Sequence, residues 1–173
     1  MRNPNRKAAA IVAAAGMGTR MGAGISKQRL QLGGKSILVH AVERLCASGE
    51  IMACVVVVPA GELSEYESLL AQARNAEGTP IRCVEGGSDR MASVRIGLKA
   101  IPEEAELVLI HDGARPFVSL ESIRLSIEKA SQTGAAVAAV PAKDTIKVAS
   151  ADGIVASTPD RSRLYLVQTP QVF

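Results

Sequence analysis

AAAIVAAAGMGTRMG, residues 8–22, passes from an unbroken apolar run into a loop rich in glycine. Residues 8–14 are small or β-branched and show no polar alternation. That pattern predicts a strand buried on both faces, as in a parallel sheet covered by helices. The glycines that follow let the backbone curl until several N–H groups converge on one anion. Arg20 and, a little further on, Lys27 can add positive charge where a polyphosphate would lie.

The rest of the chain repeats this rhythm. Residues 52–58 form a β-branched run stopped by Pro59, and residues 81–84, 107–111 and 135–140 read as further strands. Between them lie helical patterns. Leu38, Ala41, Val42 and Leu45 share one face, as do Leu63, Tyr66, Leu70 and Ala73. Asp89 is placed to cap a helix expected to bury Met91, Val94, Leu98 and Ile101. Ser119 is placed to cap another, carrying Leu120, Ile123, Ile127 and Ala130. After Pro141 the pattern changes. Residues 145–149 and 154–157 flank Asp152-Gly153, a tight-turn dipeptide, and carry few core-type residues, so they predict a hairpin that projects from the body. The expected architecture is α/β and Rossmann-like: a mostly parallel sheet with helices on both faces and a protruding β-hairpin arm. Residues 1–173 are read as one domain, with the arm at about 142–162.

Composition narrows the function. Lys and Arg number 20 against 17 Asp and Glu, too even a balance for a nucleic-acid or membrane surface. Two Tyr, two Phe and no Trp cannot build a platform for stacking bases. The three cysteines, Cys46, Cys54 and Cys83, stand apart in apolar runs and read as buried thiols. With no secretory or membrane-spanning pattern in the chain, they point to a soluble protein of the reducing cytosol.

Three loops follow strand ends, where open α/β sheets bind their ligands. The first, residues 13–22, is neither of the better-known glycine loops. A dinucleotide fingerprint would need glycine at Met21, and the P-loop suggested by Gly34-Lys35-Ser36 would need one at Arg29. The second, Gly86-Gly87-Ser88-Asp89-Arg90, leads into a helix with Ser93 on its first turn; Ser88 and Ser93 can hydrogen-bond a base or ribose. The third is His111-Asp112-Gly113-Ala114-Arg115-Pro116. Asp112 suits a Mg²⁺ ligand beside phosphates, and Arg115 can grip a second anion. Each loop alone is also accounted for by an ordinary surface connection. His40 and His111 have no acidic partner in the sequence and no G-x-S-x-G elbow exists, so serine hydrolysis and a histidine metal site rank low.

Taken together, AAGMGTRMG, SKQRLQLGGKSIL, GGSDRMASVRIGL, IHDGARPFV, PAKDTIKV and TPDRSRLYLVQTPQVF, in that order, resemble the 2-C-methyl-D-erythritol 4-phosphate cytidylyltransferase family of nucleotidyltransferases. The resemblance implies transfer of CMP from CTP to the polyol phosphate with release of pyrophosphate, aided by Mg²⁺, a step of non-mevalonate isoprenoid biosynthesis. It implies that the backbone from Ala14 through Ala15 and Gly16 to Gly18 holds the triphosphate, and that Arg20 and Lys27 are catalytic. Gly87, Ser88 and Ser93 would address cytosine and ribose, and Asp112 the metal. Arg115, Thr145, Arg161 and Thr169 would bind the polyol phosphate, with Arg161 reaching a partner's site in a homodimer joined through the arm.

The residues depart from the family pattern at Ser26 and Ser36, where proline is usual, and at Arg29, where tyrosine is usual. The turn carrying Lys27 is therefore expected to be less rigid. Ser88 stands at a variable position. Family members usually continue well past the motif that ends here at Phe173, so a fragment, or a catalytically weak nucleotide-binding protein, is an open alternative. Ribitol 5-phosphate cytidylyltransferase is the other.

Overall fold

The computed structural model describes residues 8–16, 26–75 and 78–173. Six strands form the central sheet: β1 (Ala8–Ala13), β4 (Ile51–Val58), β5 (Ile81–Glu85), β6 (Leu107–Asp112), β7 (Ala136–Pro141) and β10 (Tyr165–Val172). Their order is β5-β4-β1-β6-β10-β7. β5, β4, β1 and β6 run parallel, whereas β10 is antiparallel to both its neighbours. β1 and the β-branched β4 took inner positions, as the sequence predicts, whereas the alanine-rich β7 lies at an edge and is mostly exposed. β10 did not figure in that prediction. Its exposed half, Tyr165 to Val167, alternates no more clearly than a loop, and its pairing is supplied by β6 and β7.

Four helices cover the sheet: α1 (Ile37–Cys46), α2 (Leu63–Leu70), α3 (Arg90–Ala100) and α4 (Leu120–Thr133). Strand parity assigns the faces. Ala8, Ala10 and Val12 of β1, with Cys54, Val56 and Val58 of β4, meet Leu38, Val42 and Leu45 of α1, Tyr66 and Leu70 of α2, and Ile123 and Ile127 of α4. Each fully buried Val, Leu or Ile adds about 1.5–3 kcal/mol by leaving water. The caps are those expected: Asp89 accepts from Ala92 N–H and Ser119 from Ser122 N–H. Ser36 caps α1 through Val39 N–H.

The opposite face of the sheet meets α3, and here the helical face differs from the expected one. Met91 and Leu98 are 65% and 43% exposed, while the buried residues are Ser93 and Gly97. A Cβ at Gly97 would lie 2.7 Å from Ile11 Cγ2 and 3.2 Å from Val57 Cγ2. The large side chains at this contact belong to the strands, so the helix presents Ser93 and Gly97 there, Val94 and Ile101 are half-buried, and Met91 and Leu98 turn outward.

Two short hairpins complete the described residues: β2 (Gln31–Leu32) with β3 (Lys35–Ser36), and β8 (Val148–Ala149) with β9 (Val155–Ser157). The second is the expected arm. Its turn carries Gly153 at φ 84°, a left-handed conformation suited to glycine, and both its strands are exposed along their whole length. Cys46, Cys54 and Cys83 are buried and unpaired. No helix among the described residues is long and apolar enough to cross a membrane.

Candidate active site

A cleft of about 900 Å³ opens beyond the carboxyl ends of β1, β5 and β6. Ala13, Ala15 and Gly16 enter it after β1, Gly87 to Arg90 after β5, and Asp112, Ala114 and Arg115 at the end of β6. Lys27 and Gln28 close it from a 3-10 turn, Lys27–Arg29. The loops meet because glycines let them. A Cβ at Gly86 would stand 2.6 Å from Ala15 Cβ, and one at Gly113 would stand 2.9 Å from Leu38 Cδ1. The change at Gly86 would push the first and second loops apart, and the change at Gly113 would press on α1 and on Ala13 C=O, 3.2 Å away.

The second loop is held by its own polar groups. Gly87 N–H donates to Ser93 Oγ at 3.1 Å, and Ser93 is 5% exposed. Asp89 Oδ1 accepts from Ala92 N–H at 2.8 Å, and that bond keeps its carboxyl below the ordinary range. Asp89 is thus committed to the helix end. The positive end of the α3 dipole faces the cleft, a favourable setting for an anion.

Asp112 is the centre of charge. Arg90 Nη1 lies 2.8 Å from Oδ1, and Arg115 Nε lies 3.0 Å from Oδ2. Behind it, Asp112 N–H donates to Thr169 Oγ1 at 3.2 Å. His111 is fully buried, and burial pushes its pKa below the ordinary value. Its neutral Nε2–H can therefore donate to Arg115 C=O, 3.0 Å away, which braces the turn. Among the described residues no three His, Cys, Asp or Glu side chains converge as a metal cage.

Of the residues singled out in the sequence, Ala15, Gly16, Lys27, Gly87, Ser88, Ser93, Asp112 and Arg115 all line this cleft. Arg20 and Gly18 lie outside the described residues. Ala14 is turned away: it is fully buried, and its N–H is spent on Val57 C=O at 2.8 Å, so it has no amide to offer a phosphate. Thr169 sits behind Asp112 at 8% exposure, its hydroxyl oxygen already accepting a bond. Thr145 and Arg161 are exposed at or beside the arm and do not line the cleft; Arg161 Nη1 donates to Lys143 C=O at 3.0 Å. Arg90 and Gln28 also line the cleft and were given no role from the sequence. A signal for Arg90 existed. An arginine opening a helix opposes the dipole, so it calls for a carboxylate partner.

The family model described as IspD: 2-C-methyl-D-erythritol 4-phosphate cytidylyltransferase matches residues 8–173. The chain belongs to this family. The match runs from β1 through β10 and so includes every loop of the cleft. A 2-C-methyl-D-erythritol 4-phosphate cytidylyltransferase of Desulforamulus reducens is 43% identical over 95% of this chain and 70% of its own length. The enzyme of the same name from Shouchella clausii is 44% identical over 95% of this chain and 70% of its own. Among solved structures, 4-diphosphocytidyl-2C-methyl-D-erythritol synthase from Anaerococcus prevotii superposes with a TM-score of 0.84 at 32% identity, covering 98% of this chain and 71% of that one. The doubly wound sheet is therefore that of the cytidylyltransferase family.

Proposed function

We propose that this protein transfers the cytidylyl group of CTP to 2-C-methyl-D-erythritol 4-phosphate. A phosphate oxygen of the polyol attacks the α-phosphorus, the bond from that phosphorus to the β-phosphate oxygen breaks, and pyrophosphate leaves with the electron pair. The observation that carries this reading is the convergence of Ala15-Gly16, Lys27 and Asp112 on one cleft in a chain of this family.

The attacking phosphate monoester has a second pKa near about 6, so at neutral pH it needs no general base. What the site must supply is alignment and positive charge. Lys27 lines the cleft, and Arg20 follows Gly16 in the glycine-rich sequence; both are assigned to the charge that builds at the α-phosphorus. The backbone at Ala15, Gly16 and Gly18 is assigned to the triphosphate. Gly87, Ser88 and Ser93 are assigned to cytosine and ribose.

Mg²⁺ fits Asp112, a hard oxygen ligand at the mouth of a phosphate-sized cleft, and would screen charge between phosphate oxygens. Both carboxylate oxygens now face guanidinium groups, so metal entry exchanges at least one ion pair for the cation. Asp89, also in the cleft lining, is committed to the helix end, so phosphate and water would complete the shell.

Thr145, Arg115, Arg161 and Thr169 are assigned to the polyol phosphate. Because Thr145 and Arg161 do not line the cleft, the arm is assigned to a second copy of the chain. The exposure of Val148, Ile154 and Val155, at 47%, 66% and 54%, supports a homodimer joined there. Three buried reduced thiols support a cytosolic setting.

Pyrophosphate release from CTP and Mg²⁺ tests the reading, with 2-C-methyl-D-erythritol 4-phosphate and ribitol 5-phosphate as separate acceptors. Release with the first alone is expected. Turnover of ribitol 5-phosphate alone, or binding of CTP without release, overturns it. Sedimentation equilibrium across a range of concentrations tests the dimer, and mixed dimers carrying Arg161→Ala in one subunit test whether that residue serves the partner's cleft.

A further inference from the structure

Lys27 stands at the start of a turn whose other side chains all grip something else. Ser26 Oγ lies 3.0 Å from Tyr66 OH. Gln28, 6% exposed, donates from Nε2 to Gly16 C=O at 3.2 Å. Arg29 Nη1 lies 2.8 Å from Glu65 Oε2 and 3.4 Å from Glu62 Oε2, and its guanidinium carbon is 5.9 Å from the Tyr66 ring centroid. Three of these partners, Glu62, Glu65 and Tyr66, lie at the start or in the first turns of α2, an element that contributes nothing to the cleft wall. Tyr66 itself is fully buried.

The backbone explains why such a grip matters. Ser26 has φ −62° and ψ 139°, and a proline ring would impose that φ unaided. Serine carries no ring and reaches other conformations freely. Within the turn, Arg29 N–H donates to Ser26 C=O at 3.0 Å and Leu30 N–H to Lys27 C=O at 3.3 Å. A lysine side chain with four rotatable bonds, mounted on so short a turn, would sample much of the cleft. Side-chain contacts brace the turn on both flanks.

We propose that Tyr66, aided by Glu62 and Glu65, is a positioning residue for Lys27: α2 clamps the turn from behind, so that the ammonium stays over the reacting phosphates. Glu62 and Glu65 act through Arg29, and the Tyr66 hydroxyl acts through Ser26. Gln28 ties the same turn to Gly16, which couples the lysine to the backbone assigned to the triphosphate. The inference rests on the cytidylyl-transfer reading for Lys27's role, but the clamp itself is a matter of turn rigidity.

The decisive variant is Tyr66→Phe, which keeps the buried ring beneath Arg29 and removes only the hydroxyl. It is expected to lower kcat about 3- to 10-fold, within the range a misplacement of under an ångström can cause, with KM for CTP changed less than twofold. Adding Ser26→Pro to Tyr66→Phe is expected to restore most of kcat, because the ring imposes the φ that the hydroxyl bond had secured. In the Lys27→Ala background, Tyr66→Phe is expected to cause no further loss. An unchanged kcat in Tyr66→Phe, or a failure of Ser26→Pro to rescue it, overturns the proposal. So does an equal loss with and without Lys27. Amide hydrogen exchange at Arg29 and Leu30 separates this from failure of the functional reading. Those amides should exchange faster in Tyr66→Phe and slower again with Ser26→Pro, whatever reaction the intact protein catalyses; unchanged exchange sinks the clamp by itself.

Discussion

Arg90 Nη1 lies 2.8 Å from Asp112 Oδ1, joining the first residue of α3 to the last residue of β6 across the mouth of the cleft. With Arg115 on the other oxygen, the acid assigned to the metal is guarded by two cations. The pairs are partly solvated, so each adds little to stability, about 0–1 kcal/mol. Their consequence is for binding. A divalent cation arriving alone must compete with both guanidiniums, whereas one arriving with a triphosphate brings anions that can receive them.

Arg90→Gln should therefore tighten binding of Mn²⁺ to the nucleotide-free protein by about 3- to 10-fold, roughly the Coulombic difference of one partly screened charge. Titration followed by the paramagnetic signal of free Mn²⁺ measures it. CTP affinity should fall in the same variant. Weaker Mn²⁺ binding would show that Arg90 does not guard the carboxylate.

Lys27→Ala and Arg20→Ala should each depress kcat by about 100-fold or more while KM for CTP changes several-fold at most, because both are assigned to charge that develops during displacement. Steady-state pyrophosphate release measures both constants. A loss confined to CTP affinity would reassign these residues to ground-state binding.

Gly97→Ala separates packing from propensity. In an exposed helix the change would stabilise by about 0.5–1 kcal/mol. Here the new Cβ would stand 2.7 Å from Ile11 Cγ2, so overpacking should win and the protein should lose about 1–3 kcal/mol in urea unfolding. A stabilised Gly97→Ala would mean that α3 moves off the sheet without cost.

Glu43 should confer acid sensitivity. Burial works to raise its pKa, but the Arg74 N–H at 2.7 Å and the Lys35 ammonium at 2.6 Å outweigh it, and the carboxyl sits below its ordinary value. The unfolded chain, with a glutamate pKa near about 4.3, then binds more protons than the folded one as pH falls, so the contribution is full above that value and is lost through the folded pKa. Glu43→Gln should be less stable than the parent at pH 7 and should show a flatter loss of stability between about pH 5 and 3. Chemical denaturation at each pH gives both slopes, and parallel slopes would remove Glu43 as the cause.

Local pattern was enough to place the alternation of strands and helices, the Asp89 and Ser119 caps, the exposed arm, the three cleft loops and the family. Those features depend on residues within a few positions of each other, where periodicity and backbone preference act directly. Contacts between residues far apart in sequence were decided only by the fold. Gly97 faces the sheet in place of Met91 and Leu98 because Ile11 and Val57 already fill that space. Tyr165–Val172 became a strand because β6 and β7 leave a gap between them with free edges. Arg90 meets Asp112, and Ser26 meets Tyr66, across separations that no helical or strand period spans. Charge and hydrogen bonding act through space once the chain is packed, and a one-dimensional pattern carries no record of that distance.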